Sequence, residues 1–81
     1  ILENSDLSYA HLNSASMIGA NLRGVDLAHA DLRGVDLQYS DLTNANLMGS
    51  KLSGAKLNRA IWINGSTCQP NSVGGCKETT R

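Results

Sequence analysis

The chain has 81 residues, a formal net charge of zero from 7 basic and 7 acidic side chains, and no aromatic residue other than Trp62, Tyr9 and Tyr39. That length bounds it to one domain with a marginal core, and the absence of net charge excludes the long-range field that draws proteins to nucleic acid or anionic membrane. No apolar run approaches the roughly 18 residues that cross a bilayer, so neither nucleic acid nor a membrane is expected as a partner.

The first element begins at once. From Leu2 to Leu57 every leucine falls on the same fifth position, with Met17 and Trp62 in the two slots that lack one. A helix cannot use that period, because five residues advance about 500°, or 140° net, and the leucines would spiral around the axis. A flat strand cannot use it either, since an odd step sends successive leucines to opposite faces. A backbone that turns a corner once per pentad can. If each pentad rotates the chain by a quarter turn, all leucines point at one axis, four pentads close a coil, and stacked coils pair at the parallel-strand spacing of about 4.8 Å. The expected core is Leu7, Leu12, Met17, Leu22, Leu27, Leu32, Leu37, Leu42, Leu47, Leu52 and Leu57.

The other slots agree. Two residues before each leucine stand small side chains such as Ala10, Ala20, Val25, Val35, Ser40 and Ala55, suited to a second inward position in a narrow tube. Immediately before the leucine the residue is polar until the last pentad, and all five aspartates lie there, which predicts an outward position. Two residues after it come Gly19, Gly24, Gly34, Asn44, Gly49 and Gly54, residues that tolerate the positive φ of a type II corner. The bulkier Tyr9, His29, Tyr39 and Arg59 in that slot predict a different turn at some corners.

The pattern ends at AIWIN, where Ile61 and Ile63 take slots that are otherwise mostly polar and Trp62 replaces the leucine. Trp62 is expected to close the end of the core. Pro70 and three glycines forbid a helix or a further coil in residues 65–81, so this tail is expected to fold back as an irregular cap over Trp62 and its two isoleucines. Cys68 and Cys76 share that short segment with no zinc-ligand spacing. A disulfide there implies an oxidising compartment such as periplasm, thylakoid lumen or extracellular space; the other reading is two free thiols in the cytoplasm. At the opposite end Ile1 and Leu2 already belong to the repeat, which predicts self-association through the N-terminal end or a capping segment ahead of it.

The segments ANLRG, ADLRG and ANLMG follow A(D/N)LXX, and the chain resembles the pentapeptide-repeat family over residues 1 to about 64. The resemblance implies an all-β fold, a right-handed quadrilateral β-helix, here of about three coils over residues 1–64 with the cap in 65–81. The stretch AIWINGSTCQPNSVGGCK is also similar to an ending found in bacterial, notably cyanobacterial, members, with Asn64 where Asp is commoner. No specific activity is implied, because most members have none assigned.

A coil of 20 residues stacks each outward residue on the one 20 further along. His11, Asp31 and Lys51 then form one column, and Ser16, Asp36 and Lys56 another, each setting a carboxylate beside a cation; Tyr39 falls beside Arg59 as a cation–π pair, and Tyr9 beside His29. His11 and His29 lie on different faces and make no metal site. The serines at 5, 40 and 50 point inward with no base to activate them. No phosphate-binding or dinucleotide motif occurs. Neither catalytic residues nor a cofactor is expected. The reading is a non-enzymatic scaffold or protein-interaction module with an unspecified protein partner. The alternative, which relatives of this family suggest, is a DNA mimic that occupies a topoisomerase or gyrase, but it calls for a strongly acidic rod and this chain is neutral.

Overall fold

A computed structural model describes residues 2–77. From Leu2 to Leu57 each residue in the leucine slot opens a four-residue turn, closed by a hydrogen bond from the N–H three residues on to its carbonyl at 2.9–3.2 Å. Each turn is followed by one residue bridged in parallel to the residue 20 further along: Asp6 to Asp26, His11 to Asp31, Ser16 to Asp36, Asn21 to Asp41, and so to Ile61. Four turns therefore make one circuit, and successive circuits stack into a rod of 34 × 22 × 21 Å.

The pairing differs from the expected all-β architecture in one respect. Each coil is joined to the next by isolated bridges, and no continuous strand forms among the described residues. A corner every five residues leaves only one residue between turns with both neighbours free to pair, so a ladder cannot extend along the chain. Backbone hydrogen bonds nevertheless join each coil to its neighbours. In the pentad 26–30, Asp26 N–H donates to the Ser5 carbonyl of the coil before, Leu27 and His29 donate to Asn46 and Met48 of the coil after, and Ala30 closes its own turn on Leu27.

The corners also differ from expectation. Tyr9, His29, Tyr39 and Arg59 do not use another turn: they adopt φ of 59 to 62, beside 67 to 73 for the glycines of the repeat. A left-handed conformation costs a residue with a side chain about 1–2 kcal/mol. The same conformation aims its N–H at the next coil, where Tyr9 donates to Ala28, His29 to Met48 and Tyr39 to Asn58. Any other turn would forfeit that bond, so the ladder holds the corner. At Gly49 (φ 71) a Cβ would also meet the His29 ring 2.5 Å away, so a larger residue there would displace that ring.

The core is the axis. Leu22, Leu27, Leu32, Leu37 and Leu42 are 0–1% exposed, with Val25, Ala30, Val35 and Ser40 filling the gaps between them. Each buried leucine contributes about 1.5–3 kcal/mol. Ser40 is tolerated because its hydroxyl donates to the Leu37 carbonyl at 2.7 Å within its own turn, and Ser50 does the same to Leu47. Leu7, Leu12 and Met17 in the first coil, and Leu47 and Leu52 in the last, are half-buried because a coil covers them from one side only.

Leu57 stands in the last coil yet is fully buried, because the tail returns over it. Ile61 bridges Thr67 and Lys56 bridges Val73, both antiparallel. The N–H groups of Leu57, Arg59 and Trp62 donate to the carbonyls of Ser72, Cys68 and Ser66, while Cys68 and Gly74 donate back to Ala60 and Ala55. Residues 65–77 thus satisfy donors that, in the coils below, bond to a following coil. Residues 78–81 of the expected cap, and Ile1 of the first pentad, lie outside the described residues. No helix among the described residues is long and apolar enough to cross a membrane.

Candidate functional site

The pentad leaves one backbone donor unserved. Of its five N–H groups four find carbonyls; the fifth, on the residue after the leucine, points outward. In the pentad 26–30 that donor is Ala28, and it bonds the Asp26 carboxylate at 3.0 Å. The arrangement repeats from Ser8 to Asp6, Arg23 to Asn21, Arg33 to Asp31, Gln38 to Asp36, Thr43 to Asp41 and Met48 to Asn46. An aspartate or asparagine whose side chain accepts from the backbone two residues on is an Asx turn. The slot before the leucine therefore has a local structural duty as well as an outward position.

That duty redirects the charges. The columns His11–Asp31–Lys51 and Ser16–Asp36–Lys56 are in bridge register, and the Lys51 charge acts on Asp31, but among the described residues no direct ion pair closes along either column. Asp31 instead receives Arg33 Nε and Nη2, each at 2.8 Å, and Asp36 receives Gln38 Nε2 at 2.9 Å. Residues two apart lie on the same face of an extended segment, and the bond to the N–H swings each carboxylate toward its own pentad and away from the neighbouring coil. Polar side-chain contacts between coils include Asn58 to Gln38 at 3.3 Å, Asn46 to Asp26 at 3.4 Å and a loose Arg23–Asp41 pair at 3.9 Å.

Two consequences are measurable. Asp26 stands above Asp6, so Asp26→Asn keeps the acceptor and removes a like charge, whereas Asp26→Ala removes the acceptor. The asparagine variant is expected to melt at or above the parent temperature and the alanine variant to lose about 1 kcal/mol, by analogy with helix N-caps. Equal melting of the two would contradict the capping role.

The second concerns pH. The Arg33 hydrogen bonds hold the Asp31 carboxyl down at about 2; bonds from Ser8 and Thr43 lower Asp6 and Asp41 in the same direction. A carboxylate lowered in the folded state contributes stability that is complete above its unfolded value near 4 and is lost as pH falls through the folded value. The melting temperature is expected to fall between about pH 4 and pH 2, and less steeply in Asp31→Asn. A flat profile across that interval would exclude these bonds as contributors.

The corners carry the exposed apolar groups. Tyr9 stacks on His29 with ring centroids 4.9 Å apart and planes at 19°, and Tyr9 itself is 69% exposed. Tyr39 is 62% and Met48 72% exposed. Tyr39 and Arg59 share a column, but among the described residues no ring–guanidinium contact joins them, so the expected cation–π pair is absent. No group of three metal-ligating side chains and no cavity occurs among the described residues.

At the C-terminal end Cys68 and Cys76 are joined, with Cα atoms 5.1 Å apart. Cys68 is buried against the last coil. Ser72 is buried too: its hydroxyl donates to the Gln69 carbonyl at 2.7 Å and accepts from Lys77 N–H at 3.0 Å. Ile61, Trp62 and Ile63 are half-buried; the tail bridges Ile61 and accepts from the Trp62 N–H, while Leu57 and Ala60 are fully buried. Sequence reasoning missed the Asx turns. The signal for them was the restriction of aspartate to the slot two residues before an outward-pointing N–H.

The chain matches the family described as pentapeptide repeats, in 8 copies, over residues 1–38 and 26–61. Among solved structures it is similar to a pentapeptide repeat protein (Rfr23) of the cyanobacterium Cyanothece 51142, at 44% identity and a TM-score of 0.70, over 70% of this chain and 39% of that one. It shares the fold of a pentapeptide repeat protein from the Arabidopsis thaliana thylakoid lumen, at 18% identity and a TM-score of 0.72, over 90% of this chain and 57% of that one. The chain thus spans less than two thirds of either protein. No curated protein matches it. With its leucine axis, its uniform corners and these matches in accord, the chain belongs to the pentapeptide-repeat family.

Proposed function

We propose that this chain is a non-enzymatic scaffold that presents outward columns to a protein partner, built as a right-handed quadrilateral β-helix. The observation that carries the reading is the display of exposed Tyr9, Tyr39 and Met48 on corners held by the backbone ladder. Tyrosine is enriched among the residues that dominate binding energy at protein interfaces, and a group fixed on a rigid frame loses little entropy when it is bound. Repeat solenoids expose most of their residues and commonly work through extended surfaces. The DNA-mimic reading has no comparable support, since positive and negative charges balance.

The disulfide supports residence in an oxidising compartment: periplasm, thylakoid lumen or extracellular space. The test is capture from the native source with the parent chain and with Tyr9→Ala/His29→Ala and Tyr39→Ala/Arg59→Ala variants, which alter different corners. A partner retained by the parent and by one variant, and lost from the other, supports the reading. Equal retention by all three, or none by the parent, counts against it.

A further inference from the structure

The cap is fastened in two unequal halves. Ser66 and Cys68 bond directly to Trp62, Arg59 and Ala60 through three backbone hydrogen bonds. The second half touches the last coil through two, Leu57 N–H to the Ser72 carbonyl and Gly74 N–H to the Ala55 carbonyl. Beyond Gly74 the attachments run back to the tail itself: Cys76 to Cys68, Gln69 N–H to the Lys77 carbonyl, and Lys77 N–H to the Ser72 hydroxyl. The far half of the tail thus has two hydrogen bonds of its own to the coil, and the covalent bond is the strongest tie between it and the half anchored by Ser66 and Cys68.

We propose that Cys68–Cys76 is a redox latch, and that its reduction releases residues 72–77 as a flap while residues 66–68 and the repeat stay in place. The released flap uncovers Leu57 and the edge groups that Ser72 and Gly74 occupy, the Leu57 N–H and the Ala55 carbonyl. A dithiol reductant serves. Its thiolate attacks the sulfur of Cys76, the less buried of the two, forming a mixed disulfide and expelling the Cys68 thiolate, which takes up a proton. The second thiol of the reductant then displaces Cys76, leaving two cysteine thiols and the oxidised reductant.

The test is backbone NMR relaxation at 25 °C on the oxidised chain, on the chain reduced with a phosphine or dithiol, and on Cys76→Ser without reductant. In the oxidised chain residues 72–77 are expected to be ordered. In the other two samples their order parameters are expected to fall below about 0.6, while those of residues 22–42 and 66–68 stay near 0.85. Unchanged order in residues 72–77 after reduction would overturn the proposal, because the hydrogen bonds alone would then hold the flap. Loss of order through residues 22–42 as well would overturn it too, making the bond a staple for the whole domain and not a latch. The serine variant separates loss of the bond from any effect of the reductant.

Discussion

Leu37→Asp is expected to leave the chain unfolded at room temperature. Leu37 is 1% exposed in the middle coil, with Met17 and Leu57 stacked on either side of it by the repeat of 20. A carboxylate there has no partner and no route to water, and its burial costs more than a domain of this size has in reserve. Leu37→Ala leaves a cavity instead and is expected to cost about 3–5 kcal/mol, a fall in melting temperature of the order of 12–40 °C for a domain of this length. The outward neighbour Gln38 is not a neutral control, because it donates to Asp36 and accepts from Asn58. Ser53, outward and exposed, is the better one, and Ser53→Asp is expected to shift melting by less than about 4 °C. Circular dichroism melts decide: similar losses at 37 and 53 would mean that the inward slot is misassigned.

The second large effect is at the cap. Cys68→Ser with Cys76→Ser removes a bridge that closes a loop with a sequence separation of 8. The chain-entropy relation gives such a loop about 2.6 kcal/mol, and thermal scaling turns that into a loss of roughly 10–20 °C. The middle-coil leucines stay covered by their neighbours, so the variant is expected to be folded at room temperature. A melting temperature unchanged from the oxidised parent would show that the bridge stabilises nothing.

The architecture was legible because one residue type reports one geometric fact. Leucine every fifth position is incompatible with helix and flat strand, so the period forced a corner per pentad, and the stacking by 20 followed. The corners were misread at Tyr9, His29, Tyr39 and Arg59 because intrinsic preference for positive φ was weighed without the inter-coil bond that rewards it. The charges were read incompletely for a related reason. Column arithmetic correctly set Asp31 beside Lys51 but took no account of the Arg33 N–H, which turns the carboxylate toward its own pentad. In both cases a backbone hydrogen bond outweighed a preference of the side chain. Trp62, read as the lid of the axis, is half-buried and packs against the core, and Leu57 is the leucine that the tail seals. Two cysteines mark that a tail is tied down without showing which residue it lies on.

Everything above depends on a circuit that closes every 20 residues, and interresidue NOEs measure it directly. The account predicts contacts between backbone protons of Asp6 and Asp26, His11 and Asp31, Asp31 and Lys51, and Asp36 and Lys56, pairs that are parallel bridges here. The offset should be the same on all faces. Helical contacts three and four residues apart, or a consistent offset other than 20, would contradict it.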